Sequence, residues 1–158
     1  MSPLIIQAIL LALMIALLAR QWRKRKQGQL ARQQGQEFLT ANAEKEGVIT
    51  LDSGLQYQVL ASGEGDKHPE PKSKVTVHYH GTFIDGTVFD SSVERNKPIT
   101  FPLNRVIKGW QLGVTQMVEG DKWRLYVPSE LAYGRFGGGK IPPHCVLIFD
   151  VELIKIVS

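Results

Sequence analysis

Asn104-Arg105-Val106-Ile107-Lys108-Gly109-Trp110 is the stretch on which the fold of this chain depends. Val106, Ile107 and Trp110 stand at i, i+1 and i+4, and Val114 follows four residues later. That spacing predicts a short helix with one apolar face. Strand-like runs lie on both sides of it, and no second helical pattern follows in that half of the chain. A lone short helix is unstable in water. It must therefore lie on a sheet, with the indole of Trp110 between the two. Trp110 is then either ordinary core or the floor of a pocket, and the surrounding residues decide which.

Working outward, Leu55, Tyr57 and Val59 alternate with Gln56 and Gln58, the pattern of a half-buried strand. Gly63, Gly65, Pro69 and Pro71 make residues 62–72 a loop. Val75, Val77 and Tyr79 alternate with Thr76, His78 and His80 in a second strand, and Asp85-Gly86 turns the chain back into Thr87-Val88-Phe89. Ile99-Thr100-Phe101 is a further short strand, ended by Pro102. Beyond the helix, Trp123, Leu125 and Val127 share one face, residues 128–133 form at most one helical turn, and residues 145–157 give the longest strand. The expected domain is α+β over residues 48–158: a curved antiparallel sheet of five to six strands wrapped over one short helix.

Residues 4–19 are apolar except for Gln7. At helical rise they cover roughly 24 Å, against a hydrocarbon core of roughly 30 Å. Pro3, a snorkelling Arg20 and an interfacial Trp22 extend that reach. A cleavable signal peptide is the alternative, but no Lys or Arg precedes the run and Leu17-Leu18-Ala19 is a poor cleavage site. An uncleaved membrane anchor is the expectation, with residues 1–26 forming the anchor and its basic flank. Residues 27–47 are Gln- and Ala-rich with few apolar points. They predict a separate, mostly solvated linker helix that stops at Gly47 and spaces the domain from the bilayer. A short coiled coil is disfavoured because no heptad is sustained.

Five of the 19 basic residues, Arg20 and Arg23 to Lys26, sit directly after the apolar run. Such a cluster stays on the cytoplasmic side, so the domain is expected to be cytoplasmic, with a periplasmic domain as the alternative. The rest of the chain is near neutral and gives no electrostatic reason to expect nucleic acid. One cysteine, Cys145, forbids an internal disulfide. Gly134-x4-Gly139-Lys140 approaches a phosphate loop. Ile141 stands where a Ser or Thr is required, however, and Pro142-Pro143 prevents the following helix. His78 and His80 share a strand face without a matching third ligand, so no metal is expected. No Ser/His/Asp order or cofactor motif is visible.

Several linked motifs then fall in order. They are Val77-His78-Tyr79-x-Gly81, Gly86-Thr87-x-Phe89-Asp90-Ser91-Ser92, Val106-Ile107-Lys108-Gly109-Trp110, Ala132-Tyr133-Gly134, Ile141-Pro142-Pro143-His144 and Phe149-Asp150-Val151-Glu152-Leu153. Residues 51–157 resemble the FKBP-type peptidyl-prolyl cis-trans isomerases. Residues 42–60 look like the bacterial macrophage-infectivity-potentiator branch, in which a helical dimerisation region precedes the domain; here an apolar span and a helix stand in its place. The resemblance implies rotation of X-Pro amides with no cofactor. It implies a catalytic set of Tyr79, Phe89, Asp90, Trp110, Tyr133 and Phe149, and a substrate-binding set of Arg95, Phe101, Val106, Ile107 and Ile141. Trp110 would floor the pocket, Tyr79 and Arg95 would hold Asp90, and the Tyr133 hydroxyl and Ile107 amide would bind substrate carbonyls. Proline-containing polypeptides are the implied partners and macrolides the implied inhibitors, at a bacterial inner membrane. The chain departs from the pattern at Arg105, often acidic in relatives. It departs again at Gly137-Gly138-Gly139-Lys140, where many relatives carry apolar residues and where a more open upper wall is implied. A non-catalytic module that docks proline-bearing partners is the competing function.

Overall fold

The computed structural model describes residues 2–158. One helix, α1, runs unbroken over Pro3–Ala43. Ser2 is extended and Pro3 opens the first turn, where its fixed φ suits a helix and its missing N–H costs nothing. The span and the linker expected as two helices are therefore one. It ends at Ala43 rather than at Gly47, which follows in the left-handed region (φ 81°) and turns the chain into the sheet.

The sheet holds seven strands: β1 Val48–Thr50, β2 Gln56–Ala61, β3 Lys74–Phe83, β4 Val88–Ser91, β5 Ile99–Pro102, β6 Lys122–Val127 and β7 Leu147–Ile156. The order is β1-β2-β6-β7-β3-β4, with β5 also paired to β3, and every pairing is antiparallel. The strand beyond the expected five or six is β1. Three residues are too few to display an alternation, and only pairing with β2 defines it. β3 buries Val75, Val77 and Tyr79 and leaves Thr76, His78 and His80 between them half-buried, the alternation of a sheet with one face on the core. Asp85 and Gly86 close the β3–β4 hairpin, with the Asp85 carboxylate accepting from the Thr87 N–H at 2.9 Å.

The second α-helix, α2, is Lys108–Val114. It carries Trp110 and Val114 into a core with Leu55, Leu125, Phe149 and Val151. Gly109 lets it sit close to the sheet: a Cβ there would stand 2.4 Å from Val127 Cγ1. The close approach is tertiary and has no counterpart in the apolar periodicity.

The second half of α1 is not a free spacer. Gly28, Gly35 and Asn42, seven residues apart, are buried on one stripe. A Cβ on Gly35 would come within 2.9 Å of Val146 Cγ2. Asn42 Nδ2 donates to Gln56 Oε1 at 2.8 Å, and Gln56 Nε2 donates to the Leu39 carbonyl at 2.8 Å. This explains why β2 departs from its expected alternation. Gln56 is 4% exposed because α1 covers it, whereas Val59 is 43% exposed.

Candidate active site: an open aromatic cavity over α2

A cavity of about 480 Å³ opens between α2 and the concave face of the sheet. Its floor is Trp110, 5% exposed, delivered by α2. Tyr79 from β3 meets the indole edge-on at a centroid distance of 5.3 Å, and Phe149 from β7 does so at 5.2 Å. Phe101 from β5 lies 5.6 Å away, tilted. Phe89 from β4 stands edge-on to Phe149 at 5.4 Å. Edge-to-face rings attract through their quadrupoles, a geometry favoured over a face-to-face sandwich. The rings brace one another around the concave space they line.

Asp90 brings the only formal negative charge among the lining residues. Tyr79 donates its hydroxyl to Asp90 Oδ2, and Arg95 donates Nη1 to Oδ1. Arg95 Nη2 also donates to the Tyr79 hydroxyl at 3.1 Å, closing a triangle. Burial pushes the Asp90 carboxyl upward, but the hydrogen bonds from Tyr79 and Arg95 outweigh it and hold the group below its ordinary range. Burial, then the bond to Asp90, pushes the Tyr79 phenol up. At neutral pH the site therefore holds an ionised carboxylate and a neutral phenol. Both stay fixed there and neither is poised to exchange a proton.

Two donors remain free. Ile107 is extended and caps α2, its carbonyl accepting from the Trp110 and Gln111 amides at 3.1 and 3.2 Å. Its own N–H enters no hydrogen bond among the described residues, as expected at a helix start. Tyr133, which follows a 3-10 turn at Ser129–Leu131, is 45% exposed at the rim, and its hydroxyl has no protein partner among the described residues. Such donors suit carbonyl oxygens of an extended peptide.

Tyr79, Phe89, Asp90, Phe101, Val106, Ile107, Trp110, Tyr133 and Phe149 all line this cavity. Arg95 does not line it and acts only on Asp90 and Tyr79. Ile141 does not line it: it is 8% exposed in the core cluster that also holds Tyr79, Trp110 and Phe149, and a bridge to Gly138 fixes its backbone. Two lining residues go beyond the expected set. Ile99 shares a face with Phe101 two residues on, so strand alternation was enough to find it. Arg105 reaches the rim from a 3-10 turn at Leu103–Arg105, which no periodicity announces. His78 and His80 face hydroxyls, Ser92 at 2.6 Å and Ser91 at 2.9 Å.

Fold and cavity together match a known family. Residues 65–154 match the model for the FKBP-type peptidyl-prolyl cis-trans isomerase, and residues 2–59 match that for the domain amino-terminal to it. The chain belongs to the FKBP-type peptidyl-prolyl cis-trans isomerase family. It is 57% identical over 122 residues to the isomerase FkpA of Aeromonas hydrophila, covering 77% of this chain and 45% of that protein. It is 54% identical over 120 residues to the isomerase Mip of Coxiella burnetii, covering 75% of this chain and 52% of that protein. The chain thus spans about half the length of these curated relatives. The crystal structure of FkpA from Escherichia coli superposes with a TM-score of 0.90 at 38% identity, covering 99% of this chain and 73% of that one.

Proposed function

We propose that this chain is a membrane-anchored peptidyl-prolyl cis-trans isomerase acting on proline-containing polypeptides. The observation that carries the reading is the open ring-walled cavity over Trp110. Rotation about an X-Pro amide breaks no covalent bond, and its barrier of about 18–20 kcal/mol is the resonance that must be lost. The twisted amide carries less charge separation than the planar one. A dry aromatic wall therefore favours the twisted form over the ground state, which is differential binding of the transition state. The Ile107 N–H and the Tyr133 hydroxyl hold the flanking carbonyls, so that the proline ring sits on Trp110. Asp90, locked by Tyr79 and Arg95, fixes the wall and its field. A rate gain of about 10⁵ requires about 7 kcal/mol. Shape fit, desolvation and two placed hydrogen bonds are of that order.

The residue 3–19 portion of α1 exposes its apolar side chains, and the helix Pro3–Ala43 is long and apolar enough to cross a bilayer. With the basic cluster following it, the reading is a single span in a bacterial inner membrane with the domain in the cytoplasm. The domains then divide as residues 1–26, 27–47 and 48–158. A topology reporter fused after Ser158 tests the side: activity only of a periplasmic reporter overturns the cytoplasmic placement. Macrolides that present a proline-like ring are expected to compete for the cavity.

Exchange NMR on an Ala-Leu-Pro-Phe peptide with the full chain tests the chemistry. Acceleration is expected, lost in Phe89→Ala and kept in His78→Ala. Peptide binding without acceleration would leave a docking module in its place.

A further inference from the structure

The loop after Tyr133 carries a feature that the cavity does not use. Phe136 is 78% exposed, more than any other large apolar side chain described, and it lines no part of the aromatic cavity. The Arg135 guanidinium lies 4.6 Å from the centroid of its ring. Phe136 and Lys140 instead share a cleft with Lys24, Gln27 and Gly28 of α1. That level is fixed by contact, since a Cβ on Gly28 would already stand 3.4 Å from the His144 ring.

Because α1 is unbroken, the loop has a set height relative to the apolar run. Lys24 follows Ala19 by five positions, a rise of about 7.5 Å. The headgroup layer on each face of a bilayer is of similar depth, about 5–7 Å. An anionic surface acts over a Debye length of about 8 Å at physiological salt. The loop therefore stands within the layer where lipid headgroups are always present. Its charges suit them. No acidic residue occurs in residues 1–36 or 131–143, while α1 contributes Arg20 and the cluster from Arg23 to Lys26, and the loop adds Arg135 and Lys140.

We propose that residues 135–140 form a second membrane contact: Phe136 enters the interface of the bilayer that α1 spans, and Arg135 and Lys140 bind anionic lipid headgroups beside Lys24. The proposal rests on the anchor reading of α1. It also couples lipid to the cavity. A Cβ on Gly138 would stand 2.9 Å from Tyr133 Cδ1, so a headgroup that holds this loop also holds the rim residue packed on it.

The test uses the full chain in nanodiscs, of phosphatidylcholine alone or enriched in phosphatidylglycerol. A nitroxide is placed by Phe136→Cys in a Cys145→Ser background, with Lys67→Cys as the solvent reference. Each cation near an anionic surface strengthens association roughly fivefold. Collision with an aqueous nickel chelate at position 136 is expected to fall several-fold in the anionic discs. It should recover in the Arg135→Glu/Lys140→Glu double variant, and position 67 should not respond. Equal accessibility at position 136 in both lipids, or a fall that survives charge reversal, overturns the proposal alone. Failure of the chain to float with any lipid overturns the anchor reading and the proposal together.

Discussion

The aromatic cavity and the seam between α1 and the domain solve opposite problems with opposite side chains. The cavity is walled by large rings that meet edge to face, Trp110 against Tyr79 and Phe149. The seam is closed by side chains that are missing or small, at Gly28, Gly35 and Asn42. Rings that brace one another leave room for a ligand. Glycines that lack a Cβ leave room only for the neighbour already there. Large rings thus wall the space over Trp110, whereas at Gly35 and Asn42 a small or missing side chain lets α1 lie against the domain.

The largest expected effect tests the cavity. Trp110→Ala removes its floor and should cost about 3–5 kcal/mol of stability in urea unfolding, as for other buried aromatic truncations. It should also lower kcat/KM by at least tenfold. Folded Trp110→Ala protein with normal turnover would show that the floor has no part in the reaction.

The seam comes next. Gly35→Leu should cost about 1–3 kcal/mol in thermal unfolding through overpacking against Val146. The gain of about 1 kcal/mol in helix propensity over Gly offsets only part of this. Hydrogen exchange in residues 142–146 should quicken while kcat/KM changes less than twofold. If turnover falls with it, cavity and seam are one unit.

Asn42→Ala should cost about 1–3 kcal/mol, because Gln56 Oε1 loses its donor in a buried place. Replacing both residues by Leu should be milder than the single change, since neither side chain then leaves the other unpaired and only the bond from Gln56 to the Leu39 carbonyl is lost. A double variant worse than the single would mean the pair specifies the helix position.

The smallest effect is a null one. Asp90 is depressed, so its contribution to stability is present above the ordinary carboxylate pKa of 3.8 and is lost as pH falls through its folded value. Tyr79 is raised, so its contribution is present below the ordinary phenol pKa of 10.0 and is lost as pH rises through its folded value. Between about pH 5 and 9 neither group changes state, and single-turnover rates should vary less than twofold. A bell-shaped profile inside that window would mean that a proton moves in the reaction.

Much of this was legible in the chain. Alternation in Val75, Val77 and Tyr79 and the i, i+4 pair Trp110 and Val114 placed the sheet and its helix, because one-sided burial imposes those periods. Linked motifs contain eight of the cavity's lining residues, and the family resemblance added Phe101. Ile141 is absent from the lining and packs in the core cluster behind it, a difference of side-chain direction that its motif position does not carry. Arg105 as a rim residue was missed, because an irregular turn carries no period.

Sequence alone determined which segments are apolar, where the backbone must turn and which aromatic residues travel together, since these are properties of each residue and its near neighbours. Tertiary structure alone decided that α1 lies on the domain instead of standing off from it, and that Gln56 is buried. It also decided that the rings around Trp110 leave a cavity. Those outcomes depend on distances between segments far apart in the chain: Gly35 and Val146 meet only when both elements are folded, and no local pattern encodes a gap of one missing Cβ.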